Sequence, residues 1–213
     1  MSNPDPAMVR SNFDRHPNDT YWTEHWCTRG LLRALERESI EITMAYEPAC
    51  GRGDIVRILR SDGHMDVLAS DVDLTHYREG VAIQRDFLQA TCLPLEMHDV
   101  PIDQRAIITN PPYYKIDKQY MTDLFVKHAL TLEVGVVAML MRSDWKAAGG
   151  RTHFFEQAVL DMGFHMDVQL TSRPRWDDWE NIPKPKNGPR HNYSWFVWKR
   201  GTARSTTLWE GKS

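Results

Sequence analysis

The chain has 213 residues, 41% hydrophobic and 26% charged, the balance of an ordinary globular domain long enough to bury a full core. A formal net charge of −3 excludes an overall basic nucleic-acid footprint, and three scattered cysteines without a C-x-x-C pair exclude a disulfide framework or a cysteine zinc site. No apolar window approaches membrane-spanning length and the opening MSNPDPAMVR has no signal-peptide core, so no membrane partner and a reducing cytoplasm are expected.

In chain order, residues 1–18 are polar and proline-containing and are expected to be poorly ordered. TEHWCTRGLLRALERE has apolar positions at helical spacing, with Thr23 suited to cap a helix. ITMAYEPACGRGD reads as a strand entering a glycine turn, IVRILRSDG as a helix closed by Gly63, and MDVLASDVD as a second strand. LTHYREGVA is a short helix or turn, AIQRDFL a third short strand and RAIITNPPYY the fourth. KQYMTDLFVKHALTL is a helix, VGVVAMLMRSDW a fifth strand, and GRTHFFEQAVLDMG a helix ending at Gly163. FHMDVQLTSRPRW and YSWFVWKRG are strands six and seven, separated by DDWENIPKPKNGPRHN, a long loop of the kind that is usually functional or disordered.

Strands alternating with helices predict an α/β fold: a seven-stranded, mostly parallel sheet with helices on both faces. The last two strands have no helical pattern between them and predict a C-terminal antiparallel hairpin. One domain is expected over residues 19–204, followed by a C-terminal tail over 205–213.

Ligands of such sheets bind at the carboxyl ends of strands. The first strand ends in EPACGRGD, where Gly51 and Gly53 permit a tight turn and close approach of backbone to a ligand. The second ends at Asp71, whose carboxylate can accept from both hydroxyls of a ribose. The third ends in RDFL, where Asp86 can accept from an exocyclic amine and Phe87 can flank a flat ring. This is not the G-x-G-x-x-G dinucleotide pattern, because its third glycine position is Val56, and no Gly-Lys-Ser/Thr of a P-loop follows. A ligand needing no phosphate cradle is implied: a nucleoside cofactor, S-adenosylmethionine above all. The fourth strand ends abruptly in Asn110, Pro111, Pro112 and Tyr113, since proline brings no N–H to a ladder.

Together these segments resemble the class I S-adenosylmethionine-dependent amino-methyltransferases with an Asn-Pro-Pro-Tyr motif. EPACGRG is similar to their glycine motif, SDVD to the ribose motif, DF to the adenine motif and NPPY to the catalytic motif, over most of residues 21–200. The motif order resembles the gamma group of DNA N6-adenine methyltransferases, and the length resembles small phage-type enzymes without a separate target-recognition domain. The resemblance implies a Rossmann-like domain that binds S-adenosyl-L-methionine through Glu47, Pro48, Ala49, Cys50, Gly51, Gly53, Asp71, Val72, Asp86, Phe87 and Asn110. YWTEHWCTRGLL is similar to the segment that closes over the methionine end, which adds Thr23, although Glu24 stands where proline is usual.

The implied catalytic residues are Asn110, Pro111, Pro112 and Tyr113. An exocyclic amine is a poor nucleophile because its lone pair is delocalised into the ring. Asn110 Oδ1 and the Pro111 carbonyl can each accept one of its N–H bonds, which aims the lone pair at the methyl group, while Tyr113 stacks on the base. The implied acceptor is adenine N6, in DNA in preference to RNA. The same chemistry also serves RNA base amines and protein glutamine, and a third reading is a non-catalytic cofactor-binding subunit, against which the intact Asn110 argues. Only forty-odd residues precede the glycine motif, few for the N-terminal domain that the glutamine and ribosomal-RNA enzymes carry.

Polymer recognition is expected between strands six and seven. There Arg173, Arg175, Lys184, Lys186 and Arg190 are placed to meet phosphates, and the resemblance makes Trp176, then Trp179, the candidate to stack on the base face opposite Tyr113. Arg142 and Trp145 are candidates to line the cleft, whereas Cys50, Trp195 and Trp198 read as packing residues. No metal is expected: the nine histidines form no H-x-x-x-H pair, and Asp71 with Asp73 is explained by ribose binding.

Overall fold

The computed structural model describes residues 22–156, 159–176, 191–202 and 205–212. The amino-terminal half holds α1 (His25–Arg37), β1 (Met44–Glu47), α2 (Asp54–Ser61), β2 (Asp66–Asp71), β3 (Ile83–Gln84) and β4 (Arg105–Thr109). A short hairpin, β5 (Lys115–Ile116) and β6 (Gln119–Tyr120), leads into α3 (Met121–Ala129) and β7 (Val136–Arg142). Then follow α4 (His153–Glu156), β8 (Met162–Leu170), β9 (Tyr193–Arg200) and β10 (Thr206–Glu210).

Eight strands join one sheet in the order β10-β8-β9-β7-β4-β1-β2-β3. Only β9 runs antiparallel to its neighbours, β7 and β8; the remaining pairings are parallel. The expected α/β sheet with its antiparallel C-terminal strands is thus present, with eight strands where seven were predicted. The added strand, β10, pairs with β8 from Thr206↔Met166 to Glu210↔Leu170, inside the segment read as a tail. Central β1 has β2 on one side and β4 on the other, so the winding reverses there and a crevice opens at the carboxyl ends of β1 and β4.

Period-two alternation divides the core into two layers. Ala106, Ile108, Ala138, Leu140, Trp195 and Val197 pack with Leu31 and Leu35 of α1 and Val56 and Leu59 of α2. Ile107, Val137, Met139, Phe196 and Trp198 pack with Phe125 and Val126 of α3 and with Phe154. Trp195 and Trp198 are therefore core residues on opposite faces, and their indole N–H groups donate to the carbonyls of Cys27 at 2.8 Å and Phe154 at 2.7 Å. A fully buried large aliphatic or Phe side chain contributes roughly 1.5–3 kcal/mol relative to exposure.

Several boundaries differ from the sequence pattern for local reasons. Helix α1 starts at His25, with Glu24 as its N-cap and no side-chain cap bond; the expected cap, Thr23, has its hydroxyl turned to Asn110 instead. The helix expected to reach Gly163 is α4, and β8 already begins at Met162. Leu160 and Asp161 take φ of 47° and 68°, a left-handed pair that reverses the chain so that Val159 pairs with Met162. The third strand shrinks to Ile83–Gln84, and β4 stops at Thr109, before the prolines.

Candidate active site

The site is assembled from strand ends around the β1–β4 switch point. After β1 the chain turns at Gly51 and Gly53, with φ of 49° and 96°, conformations that L side chains rarely adopt. Gly53 is also the N-cap of α2, and a Cβ there would come within 2.6 Å of Glu79 Cγ. Asp71, at the end of β2, clamps this turn: its Oδ2 accepts from Gly51 N–H at 2.8 Å and its Oδ1 from Asp73 N–H at 3.1 Å. Burial raises its pKa, partly offset by these amides. Glu47 is fully buried and accepts from Ala49 N–H at 3.0 Å; burial pushes its carboxyl up to about 8, so it is largely protonated at neutral pH. Arg52, inside the same turn, is buried against Asp54 at 2.8 Å, with its guanidinium 4.5 Å from the Trp22 ring centre. Burial raises the Cys50 thiol far above its ordinary value, as suits an inert packing residue.

Asp86 does not end a strand. It caps a 3-10 turn, Phe87–Gln89, accepting from Leu88 N–H and Gln89 Nε2, each at 3.0 Å. Phe87 is almost wholly buried, against Tyr46, Phe125 and His128.

The tetrapeptide follows β4 directly. Asn110 Nδ2 donates to Thr23 Oγ1 at 3.2 Å, and Tyr113 Oη lies 2.8 Å from Asn110 Oδ1 and 2.6 Å from the Leu140 carbonyl. A hydroxyl has one proton, so Tyr113 donates to one of these acceptors at a time. Its ring, half-buried, meets Tyr193 edge-on at 6.1 Å, and Trp176 meets Tyr193 in turn at 4.6 Å.

A cavity of about 190 Å³ joins these parts. Among the predicted residues its wall takes Pro48, Ala49, Gly51, Asp71, Val72, Asp86, Phe87, Asn110, Pro111 and Pro112. Thr23, Glu47, Cys50 and Gly53 are not in this wall, although Thr23 bonds Asn110 and Glu47 bonds Ala49, which are. Tyr114 lines the cavity where Tyr113 was expected, because the Tyr113 hydroxyl is anchored to the strand β7 carbonyl. Sequence reasoning also missed Asp73, His76, Leu88, Ile116, Met121 and Phe125 in the wall; of the missed residues, only Tyr114 and Asp73 had a signal, their places beside NPPY and within SDVD.

The cavity wall does not include Arg173, Arg175 or Trp176. Arg173 Nε donates to Asn192 Oδ1 at 3.0 Å, and the Arg175 amide to Glu24 Oε2 at 2.9 Å. Lys184, Lys186, Arg190 and Trp179 lie outside the described residues. Arg142 pairs with Asp144, and Trp145 is buried among Phe154, Phe155, Phe196 and Trp198, so Trp145 is a core residue and not a cleft one.

A wider depression of about 650 Å³ lies by the amino ends of β1 and β2, at Met44 and Asp66, away from the glycine turn. Among the described residues no group of three or more His, Cys, Asp or Glu side chains is placed to hold a metal, and no helix is long and apolar enough to cross a membrane.

No protein-family model matches the chain, and no curated protein sequence is significantly similar to it. Solved structures do resemble it. A Listeria monocytogenes protein assigned as a class I S-adenosylmethionine-dependent methyltransferase superposes with a TM-score of 0.56 at 13% identity, over 91% of this chain and 66% of its own. A Pyrococcus horikoshii protein assigned as an RNA methyltransferase gives 0.55 at 13% identity, over 84% and 87%. The methyltransferase subunit of a type I restriction-modification system from Streptococcus thermophilus gives 0.55 at 10% identity, over 88% of this chain and 46% of the subunit. The chain thus spans about two thirds of the first and under half of the third. At such identities the likeness shows the fold: the Rossmann-like arrangement of class I methyltransferases.

Proposed function

We propose that the protein transfers the methyl group of S-adenosyl-L-methionine to an exocyclic amine, adenine N6 in DNA being the acceptor. The observation that carries this reading is the meeting of Asn110 and Pro111 with the glycine turn and Asp71 in one cavity at the switch point. The wall suits the cofactor. Asp71, Asp73 and Asp86 bring carboxylates, while no Lys or Arg of the described residues lines it, an acceptor set that opposes phosphates and suits ribose hydroxyls and cationic groups. Phe87, Leu88, Met121 and Phe125 supply an apolar slot for a flat ring.

When bound, S-adenosylmethionine supplies an electrophilic methyl carbon on a sulfonium. Everything else falls to this chain. Thr23 holds the Asn110 amide, and the Pro111–Pro112 turn fixes the backbone beside it. Asn110 Oδ1 and the Pro111 carbonyl orient the amine and stabilise the positive charge it gains, with no strong base needed beforehand. An acceptor hydrogen bond to Asn110 Oδ1 competes with Tyr113, whose hydroxyl keeps Leu140 as its alternative acceptor. The two structural likenesses to proteins named as RNA and restriction-modification methyltransferases support a nucleic-acid acceptor of either kind.

Mass analysis of nucleosides after incubation with labelled cofactor and DNA or RNA tests this. The expected product is N6-methyladenine from DNA. Label in an RNA base would move the acceptor, and label in protein glutamine would overturn the nucleic-acid reading.

A further inference from the structure

Between the tetrapeptide and α3, the hairpin β5–β6 stands out from the sheet with all six of its residues, 115–120, exposed. Its turn is demanding. Asp117 and Lys118 take φ of 48° and 71°, the left-handed pair of a two-residue hairpin that Asn-Gly usually supplies. Neither residue adopts such a φ as readily as glycine, and backbone strain of this kind gathers at functional segments. The base is closed by the Met121 amide donating to the Tyr114 carbonyl at 3.0 Å.

Two large apolar side chains stay in solvent here, Ile116 at 47% and Tyr120 at 40% exposure. Ile116 also lines the cavity beside Asn110 and Pro111. Cations prop the hairpin: Lys115 Nζ lies 4.1 Å and Arg151 Cζ 5.1 Å from the Tyr120 ring centre, and Arg151 is held by Asp123 at 2.9 Å. Lys115 and Lys118 outnumber the one hairpin acid, Asp117.

We infer that the hairpin is a wedge for the nucleic-acid strand that carries the acceptor base. This rests on the acceptor reading above and names the element that meets the polymer. Ile116 packs on the base next to the acceptor and fills the gap left when the acceptor turns into the cavity, as apolar wedges do between base steps. Lys115 and Lys118 meet the flanking phosphates. An exposed apolar side chain next to a charged turn, with cations beside it, matches the alternation of flat base faces and phosphate charge along one strand.

The test compares the parent with Ile116→Ser and with the double variant Lys115→Ser/Lys118→Ser. Methyl transfer is measured on a duplex and on the matching single strand, and oligonucleotide binding is followed against salt. Ile116→Ser is expected to lower the duplex-to-single-strand activity ratio by about tenfold, since a wedge acts on unstacking and a fold or cofactor defect lowers both activities alike. The double variant is expected to flatten the log–log salt slope by roughly 1.4–1.8, because two phosphates are no longer neutralised. A parent active on oligonucleotides whose variants keep both ratio and slope overturns the wedge alone. So does a parent that reacts with single strands and never with duplex. A parent that methylates neither DNA nor RNA overturns the acceptor reading, and the wedge with it.

Discussion

Asn110 is gripped at both ends of its amide, by Thr23 and by Tyr113. In the function proposed above, the amide so held orients an acceptor and does not hold the sulfonium. Asn110→Ala is therefore expected to lose methyl transfer while binding cofactor normally, and near-parental turnover would remove it from the mechanism. Asp71→Ala should show the opposite pattern, because the carboxylate both clamps Gly51 and faces the cavity. Weakened cofactor binding of roughly 1.5–3 kcal/mol per missing charged hydrogen bond is expected by calorimetry. Glu47 carries a pH signature. Its folded carboxyl is raised from 4.5 to about 8, so the unfolded chain releases a proton that the folded chain keeps. The associated stability is complete below about 4.5 and is lost as pH rises through about 8. Glu47→Gln cannot titrate, so relative to the parent it should gain roughly 2–4 kcal/mol between pH 5 and 8.5 in urea unfolding. Parallel pH profiles for the two proteins would refute the assignment.

At the scale of elements, the period-two runs were readable because they are buried on both sides, as Ile107 and Ile108 on opposite layers show. The strand ends were legible too: Asp71 ends β2, Asn110 follows β4, and both line the cavity. What escaped was tertiary. TTLWE is as long as β4 but lacks its continuous apolar run, and docking fixes it: Glu210 is buried beneath α1, where Arg33 Nε donates to it at 2.7 Å. Gly30 leaves room for that approach, since a Cβ would lie 3.1 Å from Glu210 Cβ. Likewise nothing in NPPYY says which tyrosine turns inward; the Leu140 carbonyl on the neighbouring strand β7 decides it. Glu210→Ala should loosen β10 and cost about 1–3 kcal/mol, discounted from a fully buried pair because Arg33 is one-third exposed. Unchanged thermal and urea midpoints would show that β10 is held by backbone pairing alone.

Over the whole molecule, two adjacent residues before α1 tie the distant parts of the site together. Thr23 holds the tetrapeptide through Asn110, and Glu24, where the resembled family usually has proline, accepts the Arg175 amide beside Trp176. The segment that leaves β8 is thereby fastened to the same point as the Asn-Pro-Pro-Tyr turn, and Trp176 comes to rest on Tyr193, one ring away from Tyr113. The stacking and charge roles expected of the β8–β9 connection have separate tests. Trp176→Ala should impair turnover on every polymer target, by a loss of the order of 1–3 kcal/mol for one base–aromatic stack. Replacing Lys184, Lys186 and Arg190 with Ser should instead weaken binding evenly across sequences and flatten the log–log salt slope by roughly 2–3, about 0.7–0.9 for each phosphate left without its cation. Because a protein of net charge −3 has no general attraction for a polyanion, a salt dependence of the proposed polymer binding would have to come from local contacts. If both variants bind and methylate like the parent, the β8–β9 connection takes no part in recognition, and the polymer is held by surfaces elsewhere, the β5–β6 hairpin first among them.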